Sequence, residues 1–531
     1  MCSEILILSL ILSIASPEAL ANLSELSDEN IKLAGGLAYQ DSIQAHYTIE
    51  CSIEPNKGLL EGTENIRLKN TTNALFRELQ IKWSSLGKLK ISCRGETVRI
   101  LSETKEDSGT CITVIELPEP IHPGGDVELQ IEFRMSSSEY AGVEKLPITN
   151  WYPRLWWGLE THDEYDVKVE TPPEYTIVTS GVGDSKSGYH HGDNVRTFGL
   201  FLGRNHKVAK AMTKDVLVQV IFTPEGKECA DLLLETAVDV INFYCERFGF
   251  YPHSVLSIIP GMNRPAGGYP VATGIVAVHG MEQFDSKPKL HWQWITAHEI
   301  GHEYWGEHVL SEEPDDAFNW LMIGLGIYAD REYARARGLG LNKHREMMNR
   351  YIKGVQSGLD TTIALSPEQR SKIIYNFNNV VKHGKSFSVI SALDCVLGNK
   401  VFGRIYRNCL KDFGGRRLGI NEFKAVCEKE TGRDLGWFFD QWVNSNKFLS
   451  YDITSQSCKK QDGHYICQVE VTCLGDLKMP VPVAAYFEDG TSQSKLTDRL
   501  LYVNVLEFKS KSPLKEVRLD PDAALAQVSM E

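Results

Sequence analysis

The sequence predicts a multidomain α+β protein: an N-terminal β-sandwich, a mostly helical middle domain and a small C-terminal β-domain. Three observations carry that expectation. A chain of 531 residues exceeds one comfortable core and, at roughly 150 residues per domain, should divide into about three or four units. Apolar residues alternate with period two toward both ends of the chain. Between those regions the apolar period lengthens to that of helices.

The first segment reads as an address. Ile5 to Ala15 form an apolar run of 11 residues, short of the roughly 20 that cross a bilayer as a helix. Ala19-Leu20-Ala21 then supplies an A-x-A cleavage site, so a secretory signal peptide is expected over residues 1–21, although Met1-Cys2-Ser3-Glu4 lacks the usual basic start. No later run reaches spanning length. The mature chain is therefore expected to be secreted or otherwise extracytoplasmic, with no transmembrane helix after cleavage.

Each following region has its own signals. Tyr47, Ile49, Cys51 and Ile53 alternate, Pro55-Asn56-Lys57-Gly58 turns, and Val127, Leu129, Ile131 and Phe133 alternate again. These predict the sandwich over residues 22–216. Residues 230–248, 290–305, 319–336 and 380–397 have helical length and spacing, and Ser366-Pro367-Glu368 reads as an N-cap followed by proline, which predicts a helical domain over 217–449. Alternation returns in Tyr465, Cys467, Val469 and Val471, and Glu488-Asp489-Gly490 marks a hairpin turn. A β-domain is expected over 450–531.

Composition narrows the function classes. Hydrophobic residues make up 42% and charged residues 24% of the chain, the balance of a globular protein. Lys plus Arg at 56 against Asp plus Glu at 70 gives a net charge of -14, which argues against a sequence-independent grip on nucleic acid. The 12 cysteines form no C-x-x-C pair. Bridges among Cys458, Cys467 and Cys473, or between Cys93 and Cys111, are candidates, with buried thiols as the alternative.

The chemistry is concentrated on one helix. Ala297-His298-Glu299-Ile300-Gly301-His302 contains H-E-x-x-H, whose histidines at i and i+4 share one helical face and can reach one zinc ion. Glu299 falls beside them, where a carboxylate can take a proton from metal-bound water and pass it to a leaving amine. Composition alone would yield this pattern roughly 0.03 times in such a chain. The bland reading is two ordinary histidines on a buried helix, since Trp292, Trp294 and Ile295 surround them.

His298-Glu299-Ile300-Gly301-His302-Glu303-Tyr304-Trp305-Gly306 resembles the H-E-x-x-H-Q-W-x-G segment of the aminopeptidase N family of gluzincin zinc metallopeptidases. Trp151-Tyr152-Pro153-Arg154 resembles a loop of that family's N-terminal domain, and Asn319-Trp320-Leu321-Met322-Ile323-Gly324-Leu325 aligns with its W-L-N-E-G segment. The resemblance implies a thermolysin-like catalytic domain in the middle region, zinc as cofactor, a peptide or protein substrate, His298 and His302 as metal ligands, and Glu299 as the catalytic residue.

Three departures accompany the match. The family's third zinc ligand is the glutamate of W-L-N-E-G, where this chain has Ile323, two residues further from His302 than the usual spacing. Its Y-x-K-G tyrosine stabilises the oxyanion, and Val381-Lys382-His383-Gly384 aligns there without a donor at Val381; Tyr375 is the nearest substitute. Its amine-anchoring glutamate has no counterpart around Ala266-Gly267-Gly268-Tyr269-Pro270, since no Asp or Glu occurs between Glu246 and Glu282.

Other residues offer little to complete the site. His308 has the separation of a metzincin third histidine, but Gly306 falls one place late for that motif. Glu312, Glu313, Asp315 and Asp316 read as a solvated acidic connection, Asp330 as a surface charge too far from Ile323 to replace it, and Arg331, Arg335 and Arg337 as a solvated face. Trp151, Tyr152, Trp156 and Trp157 read as packing, and Asn22 and Asn70 match the N-glycosylation pattern. Two functions remain: a zinc metallopeptidase, or a catalytically inactive relative acting as a peptide-binding or scaffold protein.

Overall fold

The computed structural model describes residues 43–106, 109–136, 144–158, 160–184, 187–261, 267–313, 319–363, 365, 367–373 and 377–529. The expected signal peptide, Asn22, Ala266, Asp315, Asp316, Ser366 and Tyr375 lie outside them. The protein is a multidomain α+β chain, and it forms two compact units. One comprises residues up to 208 with 253–257 and 271–275; the other comprises 209–252, 258–270 and 276–531.

Antiparallel strands dominate the first unit because its sequence alternates. In Asp126–Ser136, Val127, Leu129, Ile131, Phe133 and Met135 turn inward while their neighbours face solvent. An eight-stranded sheet runs in the order Val182–Asp184, Tyr189–Val195, Asp163–Glu170, Ile43–Glu54, Leu59–Asn70, Asp126–Ser136, Gly87–Cys93, Glu96–Thr97. A four-stranded sheet built around Phe76–Ser84 and Thr110–Ile121 contributes to the same apolar core.

Trp151 and Tyr152 belong to that core. The Trp151 indole donates to the Phe198 carbonyl at 2.8 Å, and the Tyr152 hydroxyl to that of Tyr165 at 3.0 Å. Asn70 is fully buried and its amide nitrogen donates to the carbonyls of Ala74 and Ile121, which removes it as a glycosylation acceptor. Glu64 is also fully buried, paired across the ladders with Ile49 and Ile131. Neither of its carboxylate oxygens has a hydrogen-bond partner among the described residues, and burial pushes its carboxyl well above the usual range.

The second unit is mostly helical. Helices Lys227–Phe248, Lys289–Tyr304 and Trp320–Arg337 fall within a few residues of their predicted positions. The span expected as one helix from 380 to 397 is a π-helix, Phe377–Lys385, followed by an α-helix, Ser386–Leu397. A five-stranded sheet has Gly268–Ala272 as an edge strand. Beyond residue 450 lie two three-stranded sheets, and Cys458 and Cys467, directly opposite on adjacent strands, form a disulfide. Cys93, Cys111 and Cys473 are free thiols. No helix of the described residues is long and apolar enough to cross a membrane.

Arg331 and Asp330 correct the sequence reading. Arg331 is 2% exposed and pairs with Asp394 at 2.6 Å and Glu332 at 3.2 Å. Asp330 has no exposed surface at all. Both face packed neighbours because the helix Trp320–Arg337 is enclosed over almost its whole length.

Candidate metal and catalytic site

The site grows from two helices that approach closely at a pair of glycines. Asn319 caps the helix Trp320–Arg337, its side-chain oxygen accepting from the backbone of Leu321 at 3.0 Å and Met322 at 3.2 Å. On this helix Gly326 presses against Lys289–Tyr304. A Cβ on Gly301 would lie 2.9 Å from the Gly326 carbonyl oxygen, and a Cβ on Gly326 would lie 2.9 Å from Nδ1 of His302. Only glycine admits so close an approach.

His298, Glu299 and His302 are all buried, at 8%, 2% and 3% exposure. The two imidazole rings stand 4.9 Å apart, nearly perpendicular, and the Trp294 ring lies 5.4 Å from that of His298. Nδ1 of His298 is hydrogen-bonded to Asp330 Oδ2 at 2.6 Å, and Nε2 of His344, on the helix Asn342–Gln356, engages the other oxygen. Asp330 thus positions a histidine; the surface-charge reading fails because seven residues bring it back to the face that carries Ile323.

The electrostatics follow from that pairing. Burial alone would raise the Asp330 carboxyl, but the imidazoles of His344 and His298 hold it down at about 2. Burial would lower His298, and the Asp330 hydrogen bond and charge outweigh it, so its pKa rises. His302 is driven well below its ordinary value by burial, then by the charges of His298 and His383. Glu299 is pushed up to about 7, chiefly by burial.

Ile323, which the sequence alignment sets at the family's third-ligand position, is apolar. Ile323 precedes Gly326 by one turn and Asp330 by two, on the same face of the helix, and is 7% exposed. Its side chain offers no donor. His308 is engaged elsewhere, with Nε2 at 3.1 Å from the Leu410 carbonyl, while Glu313 pairs with Arg370. Val381 is fully buried in the π-helix. From that π-helix, however, His383 reaches the site's field. Its Nδ1 donates to the Asn378 carbonyl, and burial together with the charge of His298 lowers it to about 4.

Gly268 supplies the opposite wall, because a Cβ there would overlap the Glu299 carboxylate. Two imidazoles one helical turn apart, that of His298 oriented by the buried Asp330 carboxylate, fit a zinc ion; an isoleucine side chain at position 323 adds no ligand. The structure brings His298, Glu299 and His302, the residues the sequence singles out, to one buried place, and sets beside them Asp330, His344 and His383, which the sequence reading did not include. For Asp330 the helical period was a usable signal. For His344, on a separate helix, none existed.

Residues 271–442 match the family model described as the Peptidase family M1 domain. The match spans both site helices and the π-helix. No curated protein matches the chain.

Proposed function

We propose that this chain, of which residues 271–442 match the Peptidase family M1 domain, is an active, extracytoplasmic zinc metallopeptidase of the aminopeptidase N family of gluzincins. His298 and His302 hold the ion and Glu299 is the general base. One observation carries the reading: Asp330, fully buried, binds Nδ1 of His298 and leaves Nε2 as the nitrogen free to ligate. Packing alone would be served as well by an apolar residue, since a buried ion pair gains little stability over well-packed hydrocarbon.

When bound, zinc supplies Lewis acidity toward a carbonyl oxygen and water. The protein's own groups do the rest. Glu299, with its pKa raised to about 7, accepts a proton from the attacking water and delivers it to the departing amine. Burial among apolar neighbours keeps bulk water from competing. Gly268–Ala272 is an edge strand beside Glu299, and an extended peptide can add to it by backbone pairing. Strict dependence on a free amino terminus is not part of this reading, because residues 247–281 contain no carboxylate.

Ile323 and Val381 favour a second reading, a catalytically inactive relative that binds peptides or serves as a scaffold. Zinc content per chain after purification without chelator, together with hydrolysis across a peptide panel, separates the two. The peptidase should lose zinc in His302→Ala and lose turnover, with zinc retained, in Glu299→Gln. A native chain that holds no zinc dependent on His302 and cleaves nothing in the panel would leave only the second reading.

A further inference from the structure

A different group of donors lies on the β-sandwich, where neither the M1 match nor the proposed mechanism assigns a role. Strands Ile43–Glu54, Asp163–Glu170 and Tyr189–Val195 are neighbours in the eight-stranded sheet. His46 pairs with Glu164 across the parallel ladder, and Asp166 with His191 across the antiparallel one. Asp193 stands two residues beyond His191, so alternation puts all five on one face. The ladder slips between Asp163 and Tyr165, and such bulges re-aim side chains.

The distances describe a ligand set with its support. Nε2 of His191 lies 3.2 Å from Asp193 Oδ2, and donor atoms of Glu164, His191 and Asp193 all fall within 4.8 Å of one another. Ligands held at roughly 2.1 Å from a zinc-class ion sit roughly 3.0–3.4 Å apart, so His191 and Asp193 already have that spacing. Glu164 is exposed and can close the remaining gap by a rotamer change. Behind them, Asp166 Oδ1 engages Nδ1 of His191 at 2.9 Å, while its Oδ2 engages His46 at 2.8 Å. A carboxylate behind the far nitrogen is the arrangement that orients a metal-binding imidazole.

Charge bears on which ion would bind. The Glu164 carboxylate has no ion-pair partner among the described residues, yet it stands beside a second carboxylate, Asp193. Arg67 and Lys69 line a cleft with His46, Glu164 and Asp193, which disfavours a hard cation bound by charge alone and leaves the imidazole bond to discriminate.

We propose that Glu164, His191 and Asp193 form a second site, for a divalent transition-metal ion of the zinc class, with Asp166 as its positioning residue. This inference is independent of the peptidase reading. The test is calorimetric titration of the full chain with Zn(II), alongside Co(II) absorption, in a His302→Ala background that removes the helix site. One zinc should bind, and calcium should not. His191→Ala should abolish binding and Glu164→Gln should weaken it about tenfold or more, the latter leaving the His191 ion pairs intact as a folding control. Asp166→Asn should weaken it by roughly 10–100-fold and change the Co(II) spectrum. If His302→Ala does not fold, the same variants in the otherwise native chain should lower zinc stoichiometry by one. Equal zinc binding in all variants, or none in the parent, overturns the site; the latter result leaves His191 as a bridge between carboxylates only.

Discussion

Asp330 in the helical unit and Glu64 in the sandwich are both carboxylates without exposed surface, and their surroundings treat them in opposite ways. Each oxygen of Asp330 meets an imidazole, and the group is held down at about 2. Neither oxygen of Glu64 meets anything among the described residues, and burial drives its carboxyl up. A buried charge that is fully used aims another group; one that is unused stays neutral and costs stability. The contrast makes Asp330 informative about function and Glu64 informative about folding.

The largest effect should come from emptying the used position. Asp330→Leu leaves His298 and His344 without their shared acceptor and should cost about 3–5 kcal/mol in denaturant unfolding. Asp330→Asn should preserve the fold while lowering zinc affinity roughly 10–100-fold; native affinity in that variant would break the comparison. Adding a carboxylate on the same face sharpens it. Ile323→Glu should raise zinc affinity about tenfold or more in competition with a chromophoric chelator, because it offers a third protein ligand. On the sandwich side, Glu64→Leu should gain about 1–3 kcal/mol near neutral pH.

The smallest expected effect is the sign of the pH response in chelator-treated protein. Asp330 has a folded value below its unfolded one, so its stabilisation is present above about pH 4 and is lost as pH falls toward 2. Glu64 has a folded value above its unfolded one, so the folded state holds the extra proton and stability falls as pH rises above about 4. Urea midpoints across this range should show the advantage of Glu64→Leu over the native chain growing with pH. The deficit of Asp330→Asn should shrink in acid.

Much of the architecture was legible because it depends on local periodicity. The alternation of Val127 to Phe133 and the apolar spacing over 230–248 each identify an element from neighbours in sequence. H-E-x-x-H was legible for the same reason, since His298 and His302 are one turn apart. What escaped depends on partners across the fold. Arg331 looked solvated until Asp394, from another helix, met it. Asp330 was judged by whether it could replace Ile323, when the relevant question was which histidine it could support. His383 was hidden by the π-helix, whose wider turn changes which side chains share a face. The Cys458–Cys467 bridge was one of several candidates until the hairpin register set those two opposite each other.

The seam between Gly301 and Gly326 has a consequence for how such a site can change over time. At Gly301 the nearest group across the seam is the Gly326 carbonyl, and at Gly326 it is the His302 ring, so neither position has room for a side chain of its own. Position 323 lies one turn before Gly326, so an exchange of its side chain leaves the Gly301–Gly326 approach untouched. Side chains on this frame can change while its gauge stays constant.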